Sequence, residues 1–323
     1  MRRTRLLPAL VLVGATAFGF VACVPDRQPE EQTFRVRLVT SVALSGRWER
    51  AAERGLGLIA ATFDADVGRS RADGTDQQRV LLQSLARDGV DLLFCVGPEV
   101  EGVVFTEAVA FPDTVFVVLP GEISGANVAS VAFMPEEAGY LAGTVAVAYG
   151  DSASVGVLRG VGRPWLERLE AGFVAGCQAE RGDVEVVTAS GPDGPWQLVS
   201  AGVEVALYAT DLADPQVMAA VHDAGLQLVA TDPELLDTYP NSVVAAVEVD
   251  VAEAMLRVAR EVYDRTFSGR VFTFDLGSGV LDVLLSSDVT MVNRTSDLRE
   301  VLERARTEIT AGWVEIEELG IGQ

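Results

Sequence analysis

The chain contains no lysine and only one histidine, His222, among its 323 residues. Without lysine it can form neither a side-chain Schiff base nor the phosphate-binding loop that needs a lysine. His222 is the one histidine, and we expect it on a solvated helix. This excludes catalytic triads that use histidine and metal sites built from several histidines. A Gly-x-Ser-x-Gly elbow is also absent from the sequence. We therefore expect a protein that is not an enzyme and that holds neither a cofactor nor a metal.

Cysteine is scarce, with three residues in the whole chain. Three cysteines are too few for a disulfide framework. Cys95 lies in an apolar predicted strand and Cys177 on a predicted helix of another part of the chain. We expect both to be buried small hydrophobic residues that are not bridged to each other.

Basic residues are outnumbered, because 25 arginines stand against 47 acidic residues and the formal net charge is −22. Such a surface repels a phosphate backbone, which argues against nucleic acid as a partner. Carboxylate pairs are so common in this composition that they carry little information. A hydrolase that uses Asp211 and Asp232 is therefore only a third, weaker hypothesis.

A long hydrophobic run occurs only near the N-terminus, where residues 6–20 follow three arginines. The run is shorter than the roughly 20 residues that a spanning helix needs, so residues 1–22 are predicted to be a signal peptide. Cys23 directly after Val-Ala resembles a bacterial lipobox and would then be the lipid-modified first residue. The alternative is an ordinary secretory signal with an incidental cysteine. Residues 23–33, polar and rich in proline, are predicted to be a flexible tether.

The rest of the chain alternates predicted strands and helices without hairpin signals. This pattern is typical of an α/β protein in which parallel sheets carry helices on both faces. The pattern restarts at residues 149–151, which predicts two similar lobes with three crossings between them. We assign residues 34–148, with about 250–272, to lobe 1, and residues 149–249, with about 273–323, to lobe 2.

Three stretches receive no regular element in this interpretation. The acidic segment between the first two predicted helices, residues 64–76, reads as a loop. Residues 274–279 contain two glycines but lack the strand-turn-helix context of a dinucleotide site, so they read as a turn. Trp196 falls in a Gly- and Pro-rich loop before a short helix.

In open α/β sheets, ligands bind beyond the carboxyl ends of the strands. In the predicted topology, these ends are followed by Ser45 and Trp48 in one loop and by Gly97 in the next. In the second half they are followed by Trp165, Asp211 and Asp232. We expect these six residues to line a cleft between the lobes. For Trp48 and Trp165, stacking on a ligand competes with packing inside their own lobes, and Asp232 could instead cap the turn before Pro233.

A signature runs from Asn127 to Ala146, in which Phe133 is followed by Met-Pro-Glu-Glu-Ala-Gly-Tyr-Leu-Ala-Gly. Proline at the first helical position and two following carboxylates favour a helix start, and the later Ala and Gly residues form a face for close packing. The stretch resembles the Phe-x-x-Glu-Glu-Ala-x-Tyr-Leu-Ala-Gly signature of the basic membrane protein family. These are extracytoplasmic binding lipoproteins that include the purine nucleoside receptors of ABC importers. Residues 156–176, 229–232 and 243–254 resemble the family too.

The resemblance implies a two-lobe, type I periplasmic-binding-protein fold. It also implies a small polar ligand such as a purine nucleoside, an ABC permease as partner, and attachment to the membrane through lipid on Cys23. Trp48 would stack on the base and Asp232 would contact the ribose. The alternative is a sensor or regulatory lipoprotein of the same fold that has no transport role.

Several family positions differ in this chain. Ser45 and Glu49 stand where the family has Asp and Asn around the first aromatic residue, and that loop looks two residues shorter. Pro120 replaces an Asp after the third strand, and Val247 replaces a lysine. These changes remove much of the ribose-binding set, so the resemblance supports the fold more strongly than the nucleoside.

Overall fold

The computed structural model describes residues 33–41, 46–160, 164–287 and 292–314. The predicted signal peptide, Cys23, most of the predicted tether and Ser45 lie outside the described residues. No helix of the described residues is long and apolar enough to cross a membrane.

Twelve strands are found in these residues. They are β1 (Arg35–Thr40), β2 (Asp66–Arg71), β3 (Leu92–Val96), β4 (Val115–Leu119), β5 (Val128–Phe133), β6 (Ser154–Arg159), β7 (Glu185–Ser190), β8 (Val205–Ala209), β9 (Gln227–Ala230), β10 (Val243–Val249), β11 (Val271–Phe274) and β12 (Leu281–Leu285).

Ten α-helices accompany the strands in the same part of the chain. They are α1 (Arg47–Phe63), α2 (Gly74–Arg87), α3 (Glu101–Glu107), α4 (Pro135–Tyr149), α5 (Pro164–Glu180), α6 (Gly194–Ser200), α7 (Pro215–Ala224), α8 (Glu234–Thr238), α9 (Val251–Tyr263) and α10 (Val292–Thr310).

The strands form two six-stranded sheets. The first sheet has the order β11-β5-β4-β3-β1-β2 and the second has the order β12-β10-β9-β8-β6-β7. All pairings are parallel except that of β12, which runs antiparallel to β10 at the sheet edge. The two-lobe α/β fold class predicted from the alternation of elements is confirmed. We call the half that contains the first sheet the first lobe and the other half the second lobe.

The chain passes between the sheets three times, after β5, after β10 and after β11. The connecting segments are tied to one another, because Met134 N donates to Phe274 O at 3.0 Å and Asp250 N donates to Val280 O at 2.8 Å. Helix α4 follows the first crossing and packs against strands of the second sheet, whereas α9 returns to pack on α1. The boundary predicted between residues 148 and 149 thus falls at the end of α4.

Helices α4 and α5 pack backbone against backbone through the small residues of the signature. A Cβ atom added at Gly139 would lie 2.1 Å from the carbonyl oxygen of Leu169, and one added at Gly143 would lie 2.2 Å from that of Phe173. The relation is mutual, since a Cβ at Gly172 would lie 2.0 Å from the carbonyl oxygen of Glu136. The close-packing face predicted in the signature is therefore confirmed.

The interiors of both lobes are built from the apolar strands and the helix faces that cover them. Cys95 on β3 and Cys177 on α5 are both buried, and neither is in a disulfide, as expected. Burial raises the pKa of the Cys95 thiol to about 12 and also raises that of Cys177. His222 is exposed on α7, also as expected.

The stretches read as irregular contain regular elements. The segment read as a loop after α1 contains the edge strand β2, and the turn at residues 274–279 contains a 3-10 helix, Leu276–Ser278. Strand β12 and the five-residue helix α8 were not predicted. Trp196 lies on α6 and not in a loop, and its side chain is about half exposed.

Candidate functional site

Trp48 and Trp165 meet between the two lobes. Trp48 is the second residue of α1 in the first lobe, and Trp165 is the second residue of α5 in the second lobe. Their ring centroids lie 5.7 Å apart at an interplanar angle of 83°. The rings therefore contact each other edge to face and are not the two parallel walls of a slot.

Asp211, which follows β8, joins the two tryptophans. The indole N–H groups of Trp48 and Trp165 both donate to its Oδ1 atom, at 3.1 Å and 3.0 Å. Asp211 is buried, so these hydrogen bonds to a charged acceptor are shielded from water. Three of the residues predicted from strand ends thus form one cluster across the cleft.

Arg47, the first residue of α1, lies in the middle of this cluster. Its Cζ atom lies 4.3 Å from the centre of the Trp165 ring and 5.1 Å from that of Trp48, and its Nε lies 3.9 Å from Oδ1 of Asp211. Its Nη1 donates to the backbone oxygen of Thr231 in the second lobe. The side chain is buried, and its Nε and Nη2 have no hydrogen-bond partner among the described residues.

The guanidinium of Arg47 is buried, although arginine side chains are mostly exposed in proteins. Burial lowers the pKa of its guanidinium to about 10, against the opposing effects of Asp211 and Asp232, so the group stays charged at neutral pH. The cation also lies at a helix N-terminus, where the helix dipole disfavours positive charge. Gly46 makes the placement possible, because its φ of 96° turns the chain into α1 in a conformation that favours glycine.

Two further arginines on the same face of α1 reach the second lobe. Nη2 of Arg50 lies 3.3 Å from Oδ2 of Asp232 and 2.8 Å from Oε2 of Glu234, and Nη1 of Arg54 lies 3.7 Å from Oε1 of Glu234. Both arginines and Glu234 are about half exposed, so each pair adds at most about 1 kcal/mol. Together with Arg47 they make one basic row that faces an acidic rim.

An apolar cavity of about 270 Å³ opens beside the tryptophan pair. Its walls include aromatic and proline side chains from both lobes, and charged groups lie at its margin. The aromatic and proline residues are Trp48, Pro120, Phe133, Pro135, Pro164 and Trp165, and the charged residues are Glu101, Glu122 and Arg168. Such a lining can hold a planar ring and orient it by a few polar contacts.

A second cavity of about 290 Å³ also borders Trp48 and is more polar. It is lined by Arg47 and Arg54 from α1 and by four carboxylates. The carboxylates are those of Asp232, Glu234, Glu248 and Asp250. Desolvation, with the nearby charges of Asp250 and Asp282, raises the pKa of Glu248 above its usual value. We call the first cavity the aromatic compartment and the second the acidic compartment.

The other predicted site residues have different surroundings. Asp232 lines the acidic compartment, and its Oδ1 also accepts the N–H of Glu234 at 3.1 Å, which is the turn-capping contact considered above. Gly97 has a φ of 122° in the turn after β3, and it is not among the described residues that line the two compartments. Ser45 lies outside the described residues.

Arg47 was missed in the sequence interpretation. An arginine before an aromatic residue at a helix start is usually interpreted as a solvated residue. Because charged residues are common in this chain, Arg47 does not stand out among them in the sequence. Its one available signal was its position at a helix N-terminus, where a cation is disfavoured. Among the described residues, no group of three or more His, Cys, Asp or Glu side chains is placed to hold a metal ion.

Two α/β lobes joined by three crossings, with aromatic and charged side chains meeting in the cleft, define the class of two-lobe solute-binding proteins. The chain belongs to the Bmp family of PnrA-like ABC transporter substrate-binding proteins, whose model matches residues 47–316. The family predicted from the signature is thus confirmed. It is a family of extracytoplasmic binding proteins, not of enzymes, and membership implies a small-molecule ligand and a permease partner.

Three relatives illustrate the range of the similarity. The chain is 24% identical over 262 residues to the ABC transporter nucleoside-binding protein BmpA of Lactococcus lactis, covering 72% of this chain and 73% of BmpA. It is also 24% identical over 248 residues to the transcriptional activator protein Med of Bacillus subtilis, covering 73% and 77%. A transcriptional activator of the comK gene from Bacillus halodurans shares the fold with a TM-score of 0.73 at 22% identity, covering 86% of this chain and 98% of the other.

Proposed function

We propose that this protein captures a small polar solute with a planar ring, a purine nucleoside, in the cleft and delivers it to an ABC permease. The observation that supports the proposal is the aromatic compartment between the lobes. A stack of a base on Trp48 or Trp165 contributes roughly 1 to 3 kcal/mol. The relative BmpA is named a nucleoside-binding protein, which supports the same class of ligand for this chain.

The two compartments suggest how such a solute is oriented. In the proposal its ring lies in the aromatic compartment, where Trp48, Phe133 and Trp165 provide faces and edges. Its hydroxyl groups then point past Trp48 into the acidic compartment, where Asp232 accepts their hydrogen bonds. Because Asp232 is already engaged by Arg50 and the Glu234 N–H, the solute competes with these partners.

The proposal includes a lipid anchor. Cys23, after removal of residues 1–22, would carry the lipid and hold the protein on the extracytoplasmic side of the membrane. Residues 23–33 would serve as the tether. Mass spectrometry of the mature N-terminus tests this part, because a lipidated Cys23 and an unmodified secreted N-terminus differ by the mass of the acyl chains.

A second candidate is a sensor or regulatory protein of the same fold, since one relative is named a transcriptional activator. In that role solute binding would be reported to a partner and no solute would be transported. Genes for a permease and an ATPase beside this gene would favour transport, and uptake assays in a strain lacking the gene would decide between the two.

Solute binding is tested by thermal shift and titration calorimetry with purine nucleosides, sugars and amino acids. We expect saturable stabilisation by purine nucleosides. Because one stack is removed, Trp165→Ala should weaken binding by about 5- to 160-fold. Trp196→Ala is the matched control, since Trp196 lies exposed on α6, and it should leave affinity unchanged. Stabilisation by sugars or amino acids alone would refute the nucleoside assignment.

A further inference from the structure

Arg47 occupies the position of a bound cation in an aromatic cage. Two indole rings from opposite lobes flank its guanidinium, at 4.3 and 5.1 Å, and the carboxylate of Asp211 lies 3.9 Å away. Aromatic faces combined with a carboxylate are the recurrent means of binding organic cations. Both tryptophans are oriented by the same oxygen of Asp211, so the cage is built and held by three residues.

The cage joins the two lobes. Arg47 and Trp48 belong to the first lobe, whereas Trp165, Asp211 and the Thr231 backbone oxygen belong to the second. The contacts of Arg47 with Trp165 and with Thr231 therefore exist only while the cleft is closed. Arg50 and Arg54, placed one and two turns along α1, extend the same connection to Asp232 and Glu234.

A cation buried at a helix N-terminus costs free energy that an exposed arginine would not cost. Among the described residues, the partners of its guanidinium outside α1 are Trp165, Asp211 and the Thr231 backbone oxygen, and all three belong to the second lobe. The interaction that offsets this cost is thus an interaction between lobes, and it involves no solute.

We propose that Trp48, Trp165 and Asp211 form a binding cage for a guanidinium group, and that Arg47 fills the cage from within the chain and so holds the lobes closed without a solute. The cage is a site for planar organic cations of the guanidinium class, and it shares Trp48 and Trp165 with the aromatic compartment beside it. The inference goes beyond the proposed function and holds whatever solute the cleft accepts.

The experiment uses the full chain with Trp196→Phe and Trp313→Phe, which removes the two exposed tryptophans and leaves Trp48 and Trp165 as reporters. Acrylamide quenching of these indoles is measured with and without Arg47→Ala. Loss of a desolvated cation–π contact should shift the equilibrium toward the open form by about 30-fold and increase quenching. Methylguanidinium at millimolar concentration should then reverse the increase saturably, and sodium chloride at equal concentration should not.

Arg87→Ala is the matched control, because Arg87 stacks on Phe111 and donates to Gln83, both in the first lobe. It should leave quenching unchanged. Arg47→Lys keeps the charge but loses the planar group, so it should give an intermediate result. Far-UV circular dichroism checks folding, and Arg47→Met replaces the alanine variant if that variant does not fold.

Two results would overturn the proposal. One is unchanged quenching in the Arg47 variants, and the other is a recovery that sodium chloride produces as well as methylguanidinium does. Because no nucleoside is present, either result leaves the assignment of the solute standing. Conversely, failure of nucleosides to bind leaves the cage standing.

Discussion

Trp48 and Trp165 contact each other edge to face although 117 residues of sequence and a lobe boundary separate them. Each is the second residue of a helix that begins beside the cleft, and each donates its indole N–H to the same oxygen. The pair therefore ties the stability of the chain to the closure of its cleft.

Trp48→Ala should lower the free energy of unfolding by about 3 to 5 kcal/mol, the usual cost of removing a large buried aromatic side chain. Trp48 is 5% exposed and also packs on Phe133, with ring centroids 5.8 Å apart. Urea denaturation followed by circular dichroism measures the change. Trp196→Ala, at a site 49% exposed, should change stability by no more than about 0.5 kcal/mol. Equal losses in both variants would contradict the buried position of Trp48.

Asp211→Asn should destabilise the protein by about 3 kcal/mol, because it removes the larger of the two opposing charges near the buried Arg47 and leaves only that of Asp232. The asparagine oxygen can still accept from both indoles, so the effect reports mainly on the charge. In the double variant with Arg47→Met the loss should be smaller than the sum of the two single losses, by about 1 to 3 kcal/mol. Asp223→Asn, on the exposed face of α7, is the control. Additive losses would show that the two groups do not interact.

Gly139→Ala should destabilise the chain by about 3 kcal/mol or more, since the new methyl group would lie 2.1 Å from the Leu169 carbonyl oxygen. Gly57→Ala provides the control, because Gly57 is also helical but a Cβ there meets nothing within 4 Å. That substitution should stabilise by up to about 1 kcal/mol through helix propensity. Thermal melts of both variants measure the difference, and a harmless Gly139→Ala would disprove the backbone contact of α4 with α5.

Glu248→Gln should raise the melting temperature at pH 7, and the gain should shrink as the pH falls toward 4. The pKa of Glu248 is raised by desolvation and by Asp250 and Asp282, so the folded state binds a proton that the unfolded state has already released. The charged form is thus destabilising at neutral pH, and this penalty disappears as the carboxyl becomes protonated. Exposed Glu185→Gln is the comparison variant. A gain in melting temperature that grows on acidification would contradict a raised pKa of Glu248.

Much of the fold could be predicted because the buried strands are short apolar runs between helices. The missed elements lack that signal. Strand β2, with the sequence Asp-Val-Gly-Arg-Ser-Arg, is polar and contains glycine, and it is a strand because it pairs in parallel with β1 from Arg35 to Thr40. It lies at the sheet edge, where charged residues are common because they discourage pairing with other chains. Local propensity could not indicate this pairing.

The site could be predicted in part. The positions of strand ends predicted that Trp48, Trp165 and Asp211 face one cleft, and the structure joins them in one cluster. Their mutual geometry could not be foreseen, because it depends on how closely the lobes approach. The burial of Arg47 could not be foreseen either, since its partners in the second lobe come from residues more than 100 positions away.

The interlocked backbones of α4 and α5 determine where the molecule can bend. Because their backbones are in direct contact at the glycines, these two helices cannot slide or rotate against each other. They therefore move together as one rigid unit of the second lobe. Any change in the angle between the lobes must be absorbed by dihedral angles in the short stretches after β5, β10 and β11. Distance labels on the two helices would therefore stay at constant separation during opening, whereas labels on α1 and α8 would move apart.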